Sequence, residues 1–134
     1  MRRLLIPIAA LLGTAALAVP AALAGNPHAV GDCTVTESGN TLTVSCKEAG
    51  LGDEAQVHIV ITADALCINN GGKHPRAVNK TSVSSVSDEP VQNGKVEFTK
   101  VLTATFQPDC TPPMTVEFTN ITVTDTTNNI QLFP

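Results

Sequence analysis

Hydrophobic and polar residues alternate along much of the chain, as they do in β-strands that bury one face. The alternation is clearest over residues 57–66 and 95–106, and weaker versions lie near 80–86 and 129–133. Lys100 is the exception, because it falls in phase with the apolar positions of its segment. We expect this lysine either to reach solvent at a sheet edge or to mark a β-bulge.

The alternation changes phase in a later strand-like segment. Val116 and Phe118 share one face of that segment, whereas Ile121 and Val123 take the opposite parity. A β-bulge places one extra residue in a strand and so shifts the phase by one. We therefore expect a bulge near residues 119–120, which would return both apolar pairs to the core.

The residues around Gly39-Asn40 predict a β-hairpin whose register can be counted. A two-residue Gly-Asn loop suits the turns that close antiparallel strands. If Ser38 pairs with Thr41, Cys33 lies opposite Cys46 at a non-hydrogen-bonded position, with Cα atoms about 4.5 Å apart and within disulfide range. We expect this bond to be structural, because the spacing is not the C-x-x-C of redox sites.

The two remaining cysteines, Cys67 and Cys110, pair by elimination. Each follows the end of a strong strand pattern, so the bond should bring two connectors, 68–80 and 107–113, to one end of the fold. The 107–113 connector contains Pro108, Pro112 and Pro113 and is expected to be stiff and largely extended.

Composition supports an all-β fold. Thr and Val, whose β-branched side chains suit a pleated sheet, make up 29 of the 110 residues after position 24. No segment has a convincing helical period. About seven short strands separated by turn residues predict an antiparallel β-sandwich of the Ig-like or Greek-key type, formed by residues 25–134 as one domain.

Residues 1–24 have the pattern of a cleaved secretory signal. Arg2 and Arg3 precede an apolar stretch over 4–19, and Ala22-Leu23-Ala24 supplies the small residues of a cleavage site. The mature protein is therefore expected to be secreted, extracellular, free of the membrane and monomeric. An oxidising compartment also favours disulfides over metal ligands, and neither a metal nor a cofactor is expected.

Charge and aromatic content narrow the range of partners. Without Arg2 and Arg3 the chain has six Lys and Arg against twelve Asp and Glu, a net charge of −6. This acidity argues against nucleic acids and anionic membranes as partners. The chain has no Trp and no Tyr, so a stacking platform for sugars is not expected.

The longest segment without strand character is the 68–80 loop. It carries half of the mature Lys and Arg residues, and this concentration indicates a contact surface for an acidic or polar partner. The alternative is a solvated connector whose charges only keep it soluble. The candidate binding residues are Asn69, Asn70, Lys73, His74, Arg76 and Lys80.

No motif predicts an enzyme. The nucleophile-elbow and zinc-protease patterns are absent from the sequence. His58 falls on the polar face of its strand, and the carboxylate pairs at 53–54 and 88–89 are interpreted as solvated loop charges. Residues 125–129 resemble a calcium loop only faintly and are interpreted as a turn.

The segment from Cys67 to Lys80 resembles a stretch found in small secreted actinobacterial and fungal proteins that share a Cys-x-Asn-x-Gly-Gly loop. The resemblance extends loosely over 57–125 and implies secretion and a β-fold, with no assigned activity. Subtilisin-inhibitor-type proteins and enediyne apoproteins are similar in size and in having two disulfides, but their cysteine spacing differs.

Two functions remain open from the sequence. The first is a non-enzymatic extracellular binding or structural module that uses the 68–80 loop to contact an extracellular protein or a polar ligand. The second is a secreted protease inhibitor, in which the 107–113 connector, or Lys73 or Arg76, would occupy a protease cleft.

Overall fold

A computed structural model describes residues 25–69 and 77–134, and within these ranges the chain is all-β. The expected antiparallel fold is confirmed, with eight strands instead of about seven because a two-residue strand precedes the first hairpin. No helix in the described part could cross a membrane. The strands are β1 (His28–Ala29), β2 (Thr34–Ser38), β3 (Thr41–Ala49), β4 (Gln56–Ile68), β5 (Ala77–Pro90), β6 (Val96–Thr103), β7 (Thr115–Asp125) and β8 (Ile130–Phe133).

Two four-stranded sheets enclose one core. In the first sheet β3 lies in the centre, with β6 along one side and β1 and β2 in succession along the other. The second sheet has the order β5-β4-β7-β8. The sheets also meet at their sides, where β5 contacts β6 and β1 contacts β8. The largest fully buried apolar side chains are Leu42, Leu51, Ile59, Ile61, Val44, Val57 and Val123.

The first hairpin has the counted register. Ser38 pairs with Thr41, and the Cys33–Cys46 disulfide, hereafter the hairpin disulfide, joins Cα atoms 4.4 Å apart. Gly39 has a φ of 58°, as the first central position of a type II′ turn requires. The local turn chemistry and the alternation therefore fix this part of the fold together.

The bulge in β7 lies where the phase change predicts it. Thr62 pairs with Thr122 and Asp64 with Thr119, so Ala63 alone faces two residues of β7. One of them, Asn120, has a φ of 53°, a conformation that Asn tolerates better than most residues. The four apolar residues that flank the bulge all pack against the core: Val116, Phe118, Ile121 and Val123.

Lys100 marks no bulge, because β3 and β6 pair without a register shift. Its ammonium leaves the space between the sheets at the β5 side and contacts the Glu89 carboxylate, with Nζ and Oε2 2.8 Å apart. Of the two expectations for this lysine, the edge position is the correct one.

The fifth strand is longer than its pattern indicates. It spans Ala77–Pro90, whereas the sequence predicts only 80–86. The interpretation of Asp88 and Glu89 as loop charges is therefore wrong, because both lie in this strand; Asp88 is solvated as expected, whereas the Glu89 side chain is only 12% exposed. Asp88 bonds to His58, and Glu89 bonds to Lys100.

Candidate functional site

The second disulfide forms as predicted and joins the end of β4 to the 107–113 connector at one end of the sandwich. Cys67 at the end of β4 bonds to Cys110, and their Cα atoms are 5.8 Å apart. Asn79 at the start of β5 donates from Nδ2 to the Gln107 carbonyl at 3.0 Å. The bridge and this hydrogen bond define what we call the bridged end.

The 107–113 connector is exposed at the bridged end but is not extended throughout. It bends at residues 107–108, and the Met114 N–H donates to the Thr111 carbonyl at 2.9 Å to close a turn. Pro112 and Pro113 occupy the two central positions of that turn. The expectation of a largely extended connector is wrong, because proline favours turns as well as extended chain.

Two of the six predicted binding residues fall in the described ranges. Asn69 directly follows β4 and is exposed, and Lys80 lies near the start of β5 on the outer face of the second sheet. The side chain of Lys80 is 61% exposed, and its Nζ lies 3.7 Å from Asp64 Oδ2. The other four predicted residues lie outside the described residues: Asn70, Lys73, His74 and Arg76.

Asp64 is the centre of a polar cluster that connects three neighbouring strands. Its Oδ2 accepts a 2.9 Å hydrogen bond from Asn120 Nδ2 on β7, and its Oδ1 accepts a 3.4 Å hydrogen bond from the Ser82 hydroxyl on β5. Lys80 approaches the same carboxylate from one side. The bulge that inserts Asn120 into β7 is what brings this amide over β4.

The electrostatics of the cluster keep Asp64 ionised. The hydrogen bond from Asn120 is the main reason that the pKa of Asp64 is lowered, and partial burial opposes it. The charge of Lys80 and the hydrogen bonds from Ser82 and Lys80 lower the pKa further. The cluster therefore presents a fixed carboxylate beside an exposed ammonium.

A shallow pocket of about 430 Å³ opens at this cluster. Its lining offers hydroxyl, amide and carboxylate groups together with two small apolar side chains, and it includes no aromatic ring. Such a surface can donate and accept hydrogen bonds with a polar ligand. The lining residues are Thr62, Ala63, Asp64, Ser82, Val83, Ser84 and Asn120.

Sequence reasoning did not identify this pocket. Its polar residues lie on three strands that are distant in the chain, and each sits on an outward-facing position where any polar side chain is expected. The predicted bulge at residues 119–120 was the one usable signal, because bulges often redirect a side chain near a functional site.

His58 and Asp88 form a second polar pair on the same sheet, where β4 and β5 lie side by side. Nδ1 of the imidazole lies 2.7 Å from Oδ1 of the carboxylate, and both side chains are about half exposed. Thr127 contacts only the backbone of this histidine, since its hydroxyl accepts the His58 N–H. Across the described residues, no hydroxyl or thiol is bonded to the ring to serve as a nucleophile.

In the described ranges, no three His, Cys, Asp or Glu side chains are arranged to hold a metal ion. A comparison of the chain with protein-family models, with curated proteins and with solved structures finds no match.

Proposed function

We propose that the protein is a secreted, non-enzymatic binding module whose contact surface runs from the 68–80 loop at the bridged end onto the Asp64 pocket. The observation that supports this proposal best is the convergence of Lys80 and Asn120 on the carboxylate of Asp64, which lines an outward-facing pocket. Lys80 connects the two parts of this surface, because it is the last residue of the predicted 68–80 segment, lies near the start of β5 and borders the carboxylate.

The rigidity of the surface also supports a binding role. Asp64 and Asn120 are carried by paired strands in the middle of the second sheet, and the Cys67–Cys110 bridge anchors the end of the neighbouring connector. A pre-ordered surface loses less conformational entropy when a partner binds. The expected partner is an extracellular protein or another polar ligand that matches a carboxylate, an ammonium and several hydroxyls.

The proposal can be tested by capture from culture medium with the immobilised mature protein, followed by affinity measurement for the captured partner. Lys80→Ala and Asp64→Asn should each weaken binding about tenfold or more, the loss of one charge-assisted hydrogen bond. Lys73→Ala combined with Arg76→Ala tests the rest of the loop in the same assay.

Lys47→Ala is the matched control, because Lys47 is also 61% exposed but lies on the other sheet and pairs with Glu97. It should bind as the unmodified protein does. Binding that survives all of the Lys80, Asp64 and loop substitutions would rule out this contact surface.

Protease inhibition is the second candidate, and the exposed connector beside Cys110 favours it. The turn at 111–114 leaves little extended backbone for a protease cleft, so we place this function second. Titration against trypsin and subtilisin distinguishes the two functions. Full protease activity at a stoichiometric excess of the protein would exclude inhibition of these proteases.

A further inference from the structure

Two carboxyl groups are buried at the end of the sandwich opposite the bridge, which we call the open end. Glu48 on β3 is 1% exposed, and Asp125 at the end of β7 is fully buried. Both oxygens of Glu48 lack a hydrogen-bond partner among the described residues. Buried polar groups are almost always satisfied, so this carboxyl group needs an explanation.

The donors near these groups are already used. Asn128 donates to Asp125 from its backbone N–H at 3.1 Å and from Nδ2 at 2.7 Å. The same Nδ2 also donates to Glu54 Oε1 at 3.0 Å. Asn128 thus serves two carboxyl groups and leaves none of these donors for Glu48.

No positive charge compensates the cluster in the part of the chain that the structure describes. Neither Lys nor Arg forms an ion pair there with Glu48, Glu54 or Asp125. Lys47 and Lys95 line the surface pocket beside Glu48, but Lys47 pairs outward with Glu97 at 3.8 Å. Buried like charges without a counter-ion are strongly unfavourable.

A proton on one carboxyl group would supply the missing hydrogen-bond donor and would also remove one of the buried negative charges. Two ionised carboxylates have no donor between them, whereas one protonated carboxyl group donates to the other. The pKa of Glu48 is raised to about 8, first by burial, then by a hydrogen bond to Asp125 that exists only when Glu48 is protonated, and by the charges of Asp125 and Glu54.

We propose that Glu48 keeps its proton in the folded domain and donates it to Asp125 in a hydrogen bond, and that loss of this proton at alkaline pH loosens the open end. The parts held there are β1, which pairs with Glu48 and Ala49, the turn that carries Glu54, and the β7–β8 turn with Asn128. An ionised Glu48, which is 1% exposed, would gain hydration if these parts separated. The carboxyl pair therefore acts as a pH-sensitive latch.

The sign of the effect follows from the two protonation states. The folded form binds the proton more tightly than the unfolded chain, in which Glu48 has its ordinary pKa of 4.5. The stabilisation that protonated Glu48 contributes is fully present below pH 4.5. It decreases as the pH rises and has been lost once the pH passes about 8. Between these two pH values one proton is released on unfolding, so the equilibrium constant for unfolding rises about tenfold for each pH unit.

Glu48→Gln tests the latch, because the amide keeps the size of the side chain, supplies a donor to Asp125 and does not titrate. Urea midpoints measured from about pH 5 to about pH 9 should fall with pH in the unmodified protein and change much less in the variant. Glu97→Gln is the control, since Glu97 is 72% exposed and should leave the pH profile unchanged. Equal profiles for Glu48→Gln and the unmodified protein would overturn the proposal.

A direct titration keeps the proposal testable if the variant does not fold. The carboxyl ¹³C resonance of Glu48 should titrate with a midpoint near the raised pKa of about 8, and a midpoint near 4.5 would overturn the proposal. Addition of calcium is a further check. A calcium-dependent rise in the urea midpoint that Glu48→Gln abolishes would show that a cation occupies the site in place of the proton.

Discussion

The Lys100–Glu89 contact gives the most direct test of how the two sheets are joined. Nζ and Oε2 are 2.8 Å apart, and the side chains are 31% and 12% exposed. Burial alone would raise the pKa of Glu89, but the hydrogen bond from Lys100, the neighbouring Ser87 hydroxyl and the lysine charge together outweigh it and lower the pKa. Replacing Lys100 by Met keeps an unbranched apolar side chain as far as Cε and removes the ammonium, with its charge and its donors.

Lys100→Met should lower the free energy of unfolding, because it leaves the Glu89 carboxylate mostly buried and without its counter-ion. Breaking a fully buried ion pair costs about 3–5 kcal/mol, and the partial exposure here reduces this to about 2–3 kcal/mol. Glu89→Gln should cost only about 1 kcal/mol, because Lys100 can extend to solvent. The double variant has no buried charge left. The sum of the two single losses in the free energy of unfolding should therefore exceed the loss in the double variant by roughly 2 kcal/mol.

Urea unfolding of the four proteins measures this coupling energy. The Lys47–Glu97 pair is the control: its atoms are 3.8 Å apart, its side chains are 61% and 72% exposed, and its coupling should stay below about 1 kcal/mol. Additive costs for Lys100→Met and Glu89→Gln, within about 0.5 kcal/mol, would refute the reasoning. As a second check, the contribution of the pair should be lost as the pH falls below 4.5, because the pKa of Glu89 is lowered from that value.

Two further predictions concern stability. Replacing both cysteines of the Cys67–Cys110 bridge by serine should lower the free energy of unfolding by about 4 kcal/mol, because the bridge closes a loop of 43 residues. The same change at the hairpin disulfide, which spans 13 residues, should lower it by about 3 kcal/mol. Urea unfolding measures both losses, and a larger loss for the hairpin disulfide would contradict the chain-entropy account. Gly50→Ala should lower the melting temperature more than Gly31→Ala, since both glycines have positive φ but only a Cβ at Gly50 would collide with the Asn26 carbonyl. Equal losses would show that the collision is relieved by local movement.

The parts of the fold that sequence predicted are those controlled by neighbouring residues. The hairpin register depends on one turn and the alternation beside it, and the bulge in β7 depends on one change of phase. The full length of β5 was not predictable, because its Ser, Thr and Asn residues carry little apolar alternation and pairing with β4 supplies the missing order. Edge strands that are polar on both faces give a weak signal of this kind.

Of the two polar sites, the Asp64 pocket could not be predicted from the sequence, whereas the Glu48–Asp125 pair left a recognisable pattern. Asp64 and Ser82 meet Asn120 only through the pairing of three strands, and no local pattern reports such a contact. Glu48 and Asp125 did carry a signal, since Glu48 is in phase with Leu42, Val44 and Cys46, and Asp125 is in phase with Val123. A charged residue at a core-facing position marks either the end of a strand or a buried group. Glu48 is buried within β3, and Asp125 is both buried and the last residue of β7.

The close approach of Gly25 to Gly50 has a consequence for the predicted cleavage of the chain after Ala24. A Cβ at Gly25 would lie 2.8 Å from the Gly50 carbonyl oxygen, so the backbone just after the predicted cleavage position is packed against this turn. Cleavage after Ala24 would create an α-amino group there, beside the acidic turn that carries Asp53 and Glu54. Such a group has an ordinary pKa of about 7.7–8.0 and is largely cationic below it. Processing would thus supply a new positive charge to the open end, and precursor and mature domain would differ in electrostatics at that end.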